Sequence, residues 1–249
     1  MPNIVIDLSS GDMLEAGFVG EDQQRTAIKR SSPGLKISDM TAFENDLNQV
    51  FSALGVRSQD CKVLLSQSAA YPYFSQREAI VSLLFDKFGI QGAWVMTDAL
   101  LGLFATGSST GVATICNSNE TLIVPYYSGM LSSFGANRMA PNVSAADAGE
   151  FLFNSVMKCD FDIRAELYNR VILMGDNVPS EAVAKDWENQ LRKLAPRDVT
   201  VKMTIPDNYQ NLIWQGGSLA AAHPSMADLL FTMAEYQAYG VTAVHRKTL

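Results

Sequence analysis

Cysteine is scarce: Cys61, Cys116 and Cys159 are the three in 249 residues. None stands in a CxxC pair and one must be odd, which argues against a disulfide framework or a thiolate zinc site and suits a reducing compartment. The two histidines, His223 and His245, have no second ligand at metal-protease spacing, and no G-x-S-x-G elbow supports a nucleophilic triad. Positive charge is also short. Nineteen Lys and Arg face 26 Asp and Glu, for a net charge of -7, and the densest basic stretch, Lys29-Arg30 with Lys36 nearby, reads as a solvated loop. A surface that binds nucleic acid needs a concentrated positive stripe, so nucleic acid is not an expected partner. No run of 18 apolar residues occurs, and the start Met1-Pro2-Asn3-Ile4-Val5-Ile6-Asp7 has no basic lead into an apolar region. A membrane span and a secretory signal are therefore not expected.

What is present is ordinary for a packed domain, with 47% hydrophobic and 18% charged residues. Ile4-Val5-Ile6 is a β-branched run that ends in Asp7 and a Ser-Ser-Gly turn, with antiparallel returns expected at 15–19 and 25–28. Met40, Phe43, Leu47, Val50, Phe51 and Leu54 recur at helical spacing before Gly55, a C-terminal stop. Strands are expected at 62–65, 94–96, 111–115, 121–126, 171–174 and 199–204. Helices are expected at 75–88, 98–106, 148–158, along Val183, Trp187, Leu191 and Leu194, and then on to about 238. Ser75 to Glu78 and Thr232 to Glu235 each fit a capping box. The stretch 129–149 is rich in Gly, Ser, Ala and Asn without a period, and reads as a connector. Alternating strands and helices indicate an α/β protein.

Specific residues then resemble the actin family over most of the chain. They are Phe153-Asn154-Ser155-Val156-Met157-Lys158-Cys159-Asp160-Phe161-Asp162-Ile163-Arg164 with Glu166-Leu167-Tyr168, Ile213-Trp214-Gln215-Gly216-Gly217-Ser218, Glu235-Tyr236 and Val244-His245-Arg246-Lys247. The start, Asp7 to Gly11 with Ala16-Gly17-Phe18, is similar to that family's first phosphate loop. Gly111 to Gly129 matches its second phosphate hairpin in length. The resemblance implies an actin-like (ribonuclease H-like) fold reduced to basal subdomains 1 and 3. Residues 1–105 with 212–249 would form the first and 106–211 the second, with short connectors at 30–37 and 129–149 replacing subdomains 2 and 4.

A phosphate loop needs glycines for close backbone approach, a hydroxyl and often a lysine. Asp7, Ser10 and Gly11 match that pattern, and Gly175 keeps one glycine of the family's adenosine-side pair. Ser9, however, stands in place of a glycine, and Leu14 or Glu15 in place of the lysine. The second hairpin reads Ile115, Cys116, Asn117, Ser118 and Asn119 where the family organises magnesium and phosphates. Asp98 and Leu122 replace the glutamine and histidine that position water. On the adenosine side, Val178-Pro179-Ser180 replaces the family's tyrosine-proline-glycine. Removing one such positioned group commonly costs on the order of 10²-fold in rate, so no cofactor and no useful ATP hydrolysis are expected, with weak ATP or ADP binding left open.

The resemblance also implies a groove between the basal subdomains that receives amphipathic helices. The matching positions are Phe104, Gly107, Ser109, Gly129, Met130, Ala220, His223, Ser225 and Leu229; Phe104, Met130 and Leu229 would equally suit a core. The leading expectation is a catalytically silent subunit that binds proteins within a cytoskeletal, ciliary, motor-adaptor or chromatin assembly. Such a chain would be cytoplasmic or nuclear and would not self-polymerise. Two alternatives remain: an ATP-binding enzyme with Asp7 or Asp98 holding magnesium, and a free cytosolic regulator of actin-binding proteins.

Overall fold

The computed structural model describes residues 2–69 and 74–247. The chain divides into unit 1, Met1–Leu101 with Ile213–Leu249, and unit 2, Gly102–Leu212. The first division therefore falls before residue 105, inside a helix. Leu101 stays with unit 1 because Gly216 abuts it so closely that a Cβ there would lie 1.7 Å from the Leu101 carbonyl oxygen.

Unit 1 carries β1 (Asn3–Asp7), β2 (Met13–Phe18), β3 (Thr26–Lys29), β4 (Lys62–Gln67), β5 (Gly92–Thr97) and a short last strand, β12 (Phe231–Thr232). They form one sheet in the order β12-β5-β4-β1-β2-β3. β1 pairs antiparallel with β2, while β1, β4 and β5 run parallel. Strands β4 and β5 are nearly continuously buried, as expected of parallel strands covered on both faces. Helix α1 (Met40–Leu54) starts where the Asp39 carboxylate accepts from the Thr41 and Ala42 amides and ends at Gly55, whose φ of 67° is left-handed. Its Phe43, Leu47, Val50, Phe51 and Leu54 enter the core, each contributing on the order of 1.5–3 kcal/mol when fully buried.

Helix α2 (Phe74–Asp86) begins before Ser75, so the expected Ser75 to Glu78 box is not its cap; Glu78 instead meets His245 Nε2 at 2.8 Å. The start of that helix adjoins 70–73, which lie outside the described residues. Helix α3 (Asp98–Ala105) leads out of β5, and α7 (Leu212–Ala222) and α8 (Met233–Tyr239) follow near the C-terminus. The Thr232 to Glu235 capping box forms on α8 with both reciprocal hydrogen bonds.

Unit 2 carries β6 (Gly111–Cys116), β7 (Thr121–Tyr127), β8 (Met130–Leu131), β9 (Asn137–Met139), β10 (Val171–Met174) and β11 (Met203–Thr204). Its sheet runs β11-β10-β6-β7-β8, with β9 also on β7. Helices α4 (Ala145–Met157), α5 (Arg164–Tyr168) and α6 (Glu181–Leu194) complete it, with Leu152, Val156, Trp187 and Leu191 in its core. Three expectations need correction. The stretch 129–149 is not featureless, because β8 and β9 both add to the sheet and α4 begins at Ala145; its strands are too short to show a period. The strand expected at 199–204 is reduced to Met203–Thr204, since Pro196 opens a turn that takes the Val199 amide. Val183 and Leu194 are exposed, and Ala184 and Glu188 are buried beside Trp187 and Leu191 instead.

The two sheets share one plan. An antiparallel pair (β1–β2 or β6–β7) is extended on the far side by parallel strands (β4–β5 or β10–β11), with helices between corresponding strands. The repeat exists in topology and not in sequence.

Candidate functional site

Strand β1 ends at Asp7, 4% exposed. One carboxylate oxygen accepts from Ser66 Oγ at 2.6 Å and from the Ser9 amide at 2.9 Å, and the other accepts from Ser9 Oγ at 3.0 Å. Burial pushes the Asp7 carboxyl above its usual value, opposed by these hydrogen bonds. Ser66 Oγ in turn accepts from the Leu8 amide at 2.7 Å. The turn after Asp7 is also closed on itself. The Gly11 amide donates to the Leu8 carbonyl at 3.1 Å, and Ser10 Oγ accepts from the Met13 amide at 2.9 Å. Gly11 adopts φ 75°, and its carbonyl accepts from the Gly34 amide and from Arg30 Nη1, both at 2.9 Å.

Arg30 therefore corrects the expectation of a solvated basic loop. It is 3% exposed and ties the turn to the segment 31–37, donating also to the Gly34 carbonyl. Burial lowers its affinity for the proton, and Asp46 and Asp12 counter that. Nothing local signals this, because a buried arginine is set by which carbonyls surround it. In the β1–β2 register Asp7 lies directly opposite Glu15, so two carboxylates share one face of the hairpin.

At the end of β5, Asp98 is wholly buried. Its Oδ1 accepts from the Ala69 and Ala99 amides at 2.9 and 2.7 Å, Ser68 also hydrogen-bonds the carboxyl group, and among the described residues its Oδ2 has no partner. Burial drives its pKa up to about 7, with Asp7 a further raising influence. Together with Ser66, Gln67, Ser68, Arg77 and Thr97 it makes a buried polar zone at the carboxyl ends of the parallel strands, the end at which α/β sheets place ligands.

In unit 2 the second hairpin puts apolar side chains at Ile115 and Leu122. Ile115 and Leu122 are 0% and 2% exposed and face each other directly across β6 and β7. Burial pushes the Cys116 thiol up to about 12. Asn117 is buried, with neither side-chain polar atom partnered. Gly175 has φ 107°, and its backbone lies so near β6 that a Cβ would come within 2.7 Å of the Cys116 carbonyl oxygen. Among the described residues no group of three or more His, Cys, Asp or Glu is placed to hold a metal ion.

The groove positions divide between the units. Phe104, Gly107, Ser109, Gly129 and Met130 belong to unit 2, where the Gly129 amide donates to the Ser109 carbonyl at 2.8 Å and Met130 is 68% exposed. Ala220, His223, Ser225 and Leu229 belong to unit 1. His223 Nδ1 meets Ser225 Oγ at 2.7 Å, which closes a local cap, and Ala220 is buried. Asp7, Ser10 and Gly11 share one turn in unit 1, whereas Gly175 is in unit 2.

Two mixed α/β units of matching topology define an actin-like, two-subdomain fold. The actin family's sequence model matches residues 34–140 and 132–249, and the chain belongs to that family. The matched residues begin after the Asp7 to Gly11 turn. The two matched pieces overlap at 132–140, inside the short segment 129–149. No described helix is long and apolar enough to cross a membrane.

Proposed function

We propose that the chain is a non-catalytic actin-family subunit that binds other proteins within a larger assembly. The observation that carries this reading is the Asp7 to Gly11 turn. Its glycine amide is spent on Leu8, its glycine carbonyl is held by Arg30 and Gly34, and Asp7 faces Glu15. An anion-binding loop must offer free amides and positive potential, and this turn offers a carboxylate pair. The Ile115 and Leu122 pair makes two facing positions of the second hairpin apolar as well. In the same reading no nucleotide or metal is required. Partners dock through Phe104, Gly107, Ser109, Gly129, Met130, Ala220, His223, Ser225 and Leu229, and the exposure of Met130 and of Phe134, 84% exposed, suits apolar recognition. The assembly would be cytoskeletal, ciliary, motor-adaptor or chromatin-bound.

One observation favours a second reading. The buried, unpartnered Oδ2 of Asp98 is a group that a magnesium ion or its water would satisfy, as an ATP-binding member requires. Calorimetric titration with Mg-ATP and a phosphate-release assay separate the two. No binding and no turnover are expected, and micromolar binding with turnover would sink the silent reading. Purification of the native protein should bring a stable multi-subunit complex, whereas recovery as a free monomer would favour a cytosolic regulator.

A further inference from the structure

Unit 2 contains a cavity of about 380 Å³ on the sheet face opposite the core made with α4 and α6. Strands β10 and β11 pair in parallel, with Val171 opposite Met203 and Ile172 opposite Thr204. Arg170 and Lys202 immediately precede these two strands, and the Val171 amide donates to the Lys202 carbonyl at 3.0 Å. Side chains alternate along a strand, so Arg170, Ile172, Lys202 and Thr204 share one face, and all four line the cavity. The lining thus sets two cations side by side.

Like charges close together on neighbouring strands are destabilising, and several cations of this acidic chain are paired. Arg25 meets Glu21, Arg57 meets Asp60, and Lys185 and Arg192 share Glu188. Among the described residues neither the Arg170 nor the Lys202 side chain has a hydrogen-bond or ion-pair partner, and no Asp or Glu lines the cavity. The position of Arg170 is also built. Gly111 has φ 153° and lies against the arginine stem, where a Cβ would come within 3.1 Å of Arg170 Cγ and 2.9 Å of its carbonyl oxygen. Ala105, Ile172 and Leu212 supply apolar wall beside the charged end.

We propose that this cavity binds a small organic phosphate monoester, with its dianion between Arg170 and Lys202 and a compact apolar body against Ile172 and Leu212. A dianion neutralises both cations. The guanidinium offers a planar fork of donors to the phosphate oxygens and the ammonium a point charge. The volume lies within the range of small-ligand sites. Both cations reach solvent, so the affinity is modest and falls with added salt.

The full-length chain is titrated calorimetrically at low ionic strength with phenyl phosphate, inorganic phosphate and neutral benzyl alcohol. Phenyl phosphate is expected to bind one site with Kd of roughly 0.1–1 mM, inorganic phosphate more weakly and benzyl alcohol not at all. Arg170→Gln and Lys202→Gln should each weaken phenyl phosphate by about tenfold. Lys202→Glu sets a carboxylate near Arg170 and should abolish binding while raising Tm at low salt. Absence of saturable binding, or equal binding by both glutamine variants and the wild type, overturns the site. Equal affinity for inorganic phosphate overturns the ester and leaves free phosphate as the ligand. A Tm lowered by Lys202→Glu overturns the like-charge premise on which the argument is built.

Discussion

The ends of β1 and β6 occupy the same place in two sheets of one topology, and they are finished in opposite chemistry. Asp7 closes β1 with Ser66 beside it on the parallel neighbour and Glu15 opposite on the antiparallel one. Cys116 closes β6 with Gly175 at the place of Ser66 and Thr121 at the place of Glu15. In unit 1 a side chain reaches across to the carboxylate. In unit 2 no side chain fits, because a Cβ on Gly175 would strike the Cys116 carbonyl oxygen. One strand end is a hydrogen-bonded polar knot and the other a close backbone-to-backbone contact. Each is stable in its own way.

The largest expected effect comes from moving one chemistry into the other unit. Ile115→Asp would set a carboxylate against Leu122 at a fully buried position. An unpaired buried charge is among the few causes of losses above about 4 kcal/mol. Urea unfolding followed at Trp187 should show unit 2 lost or shifted by that order. A shift under about 1 kcal/mol would show that the β6 end tolerates polarity and dissolve the contrast.

Second in size is a pH effect at Asp98, whose place after β5 corresponds to the place of Ile205 after β11. Its carboxyl is raised by burial from 3.8 to about 7. For an acid whose folded pKa is raised, the unfolded chain gives up its proton first. Stability therefore falls as pH rises from about 4 to about 7 and levels above that. Asp98→Asn keeps the acceptor for the Ala69 and Ala99 amides and removes the titration. The wild-type-minus-variant difference should change by about 4 kcal/mol across that window. A difference flat with pH would mean that Asp98 ionises freely in the fold.

Gly175→Ala should cost about 2 kcal/mol, from positive φ and the close contact with Cys116. Ser66→Ala in unit 1 leaves the Asp7 carboxylate short of one donor and should cost about 1–2 kcal/mol. If the two costs reverse, the polar knot outweighs the backbone contact. Thermal melts of both variants at neutral pH decide the order.

These contrasts show which parts of the molecule sequence could carry. Helix α1 was legible because its period and Gly55 are local, although its Asp39 cap was not singled out, and the Thr232 to Glu235 box was legible for the same reason. The actin resemblance rested mainly on contiguous segments in the C-terminal half, within the second of the two matched pieces, 132–249. The failures were non-local. Arg30 looked like a solvated cation because nothing in 29–36 shows that the Gly11 and Gly34 carbonyls converge on it. Strands β8 and β9 hid in a small-residue stretch because two- and three-residue strands owe their place to β7. The site residues could be named as departures from a pattern. That Asp7 faces Glu15, and Ile115 faces Leu122, required the register.

The smallest expected effect sharpens the comparison at the sheet edge. Strand β5 continues unit 1's sheet with six residues and passes it on to β12, whereas β11 is two residues long and ends the sheet. Its outward Met203 amide is capped by Glu188 Oε2 at 2.9 Å, while Lys185 and Arg192 both reach Oε1 at 2.7 Å. Burial pushes the Glu188 carboxyl up, but the hydrogen bonds from Lys185, Met203 and Arg192 outweigh it and hold the carboxyl below its ordinary 4.5. A depressed folded pKa contributes stability above the unfolded value, lost as pH falls through the folded one. Both cationic partners are half exposed, so solvent screens their share. Glu188→Gln retains an acceptor for Met203 and should therefore cost only about 1 kcal/mol at neutral pH. The cost should vanish in melts taken well below pH 4.5. A cost that persists in acid would mean that side-chain shape and not charge closes the edge of unit 2.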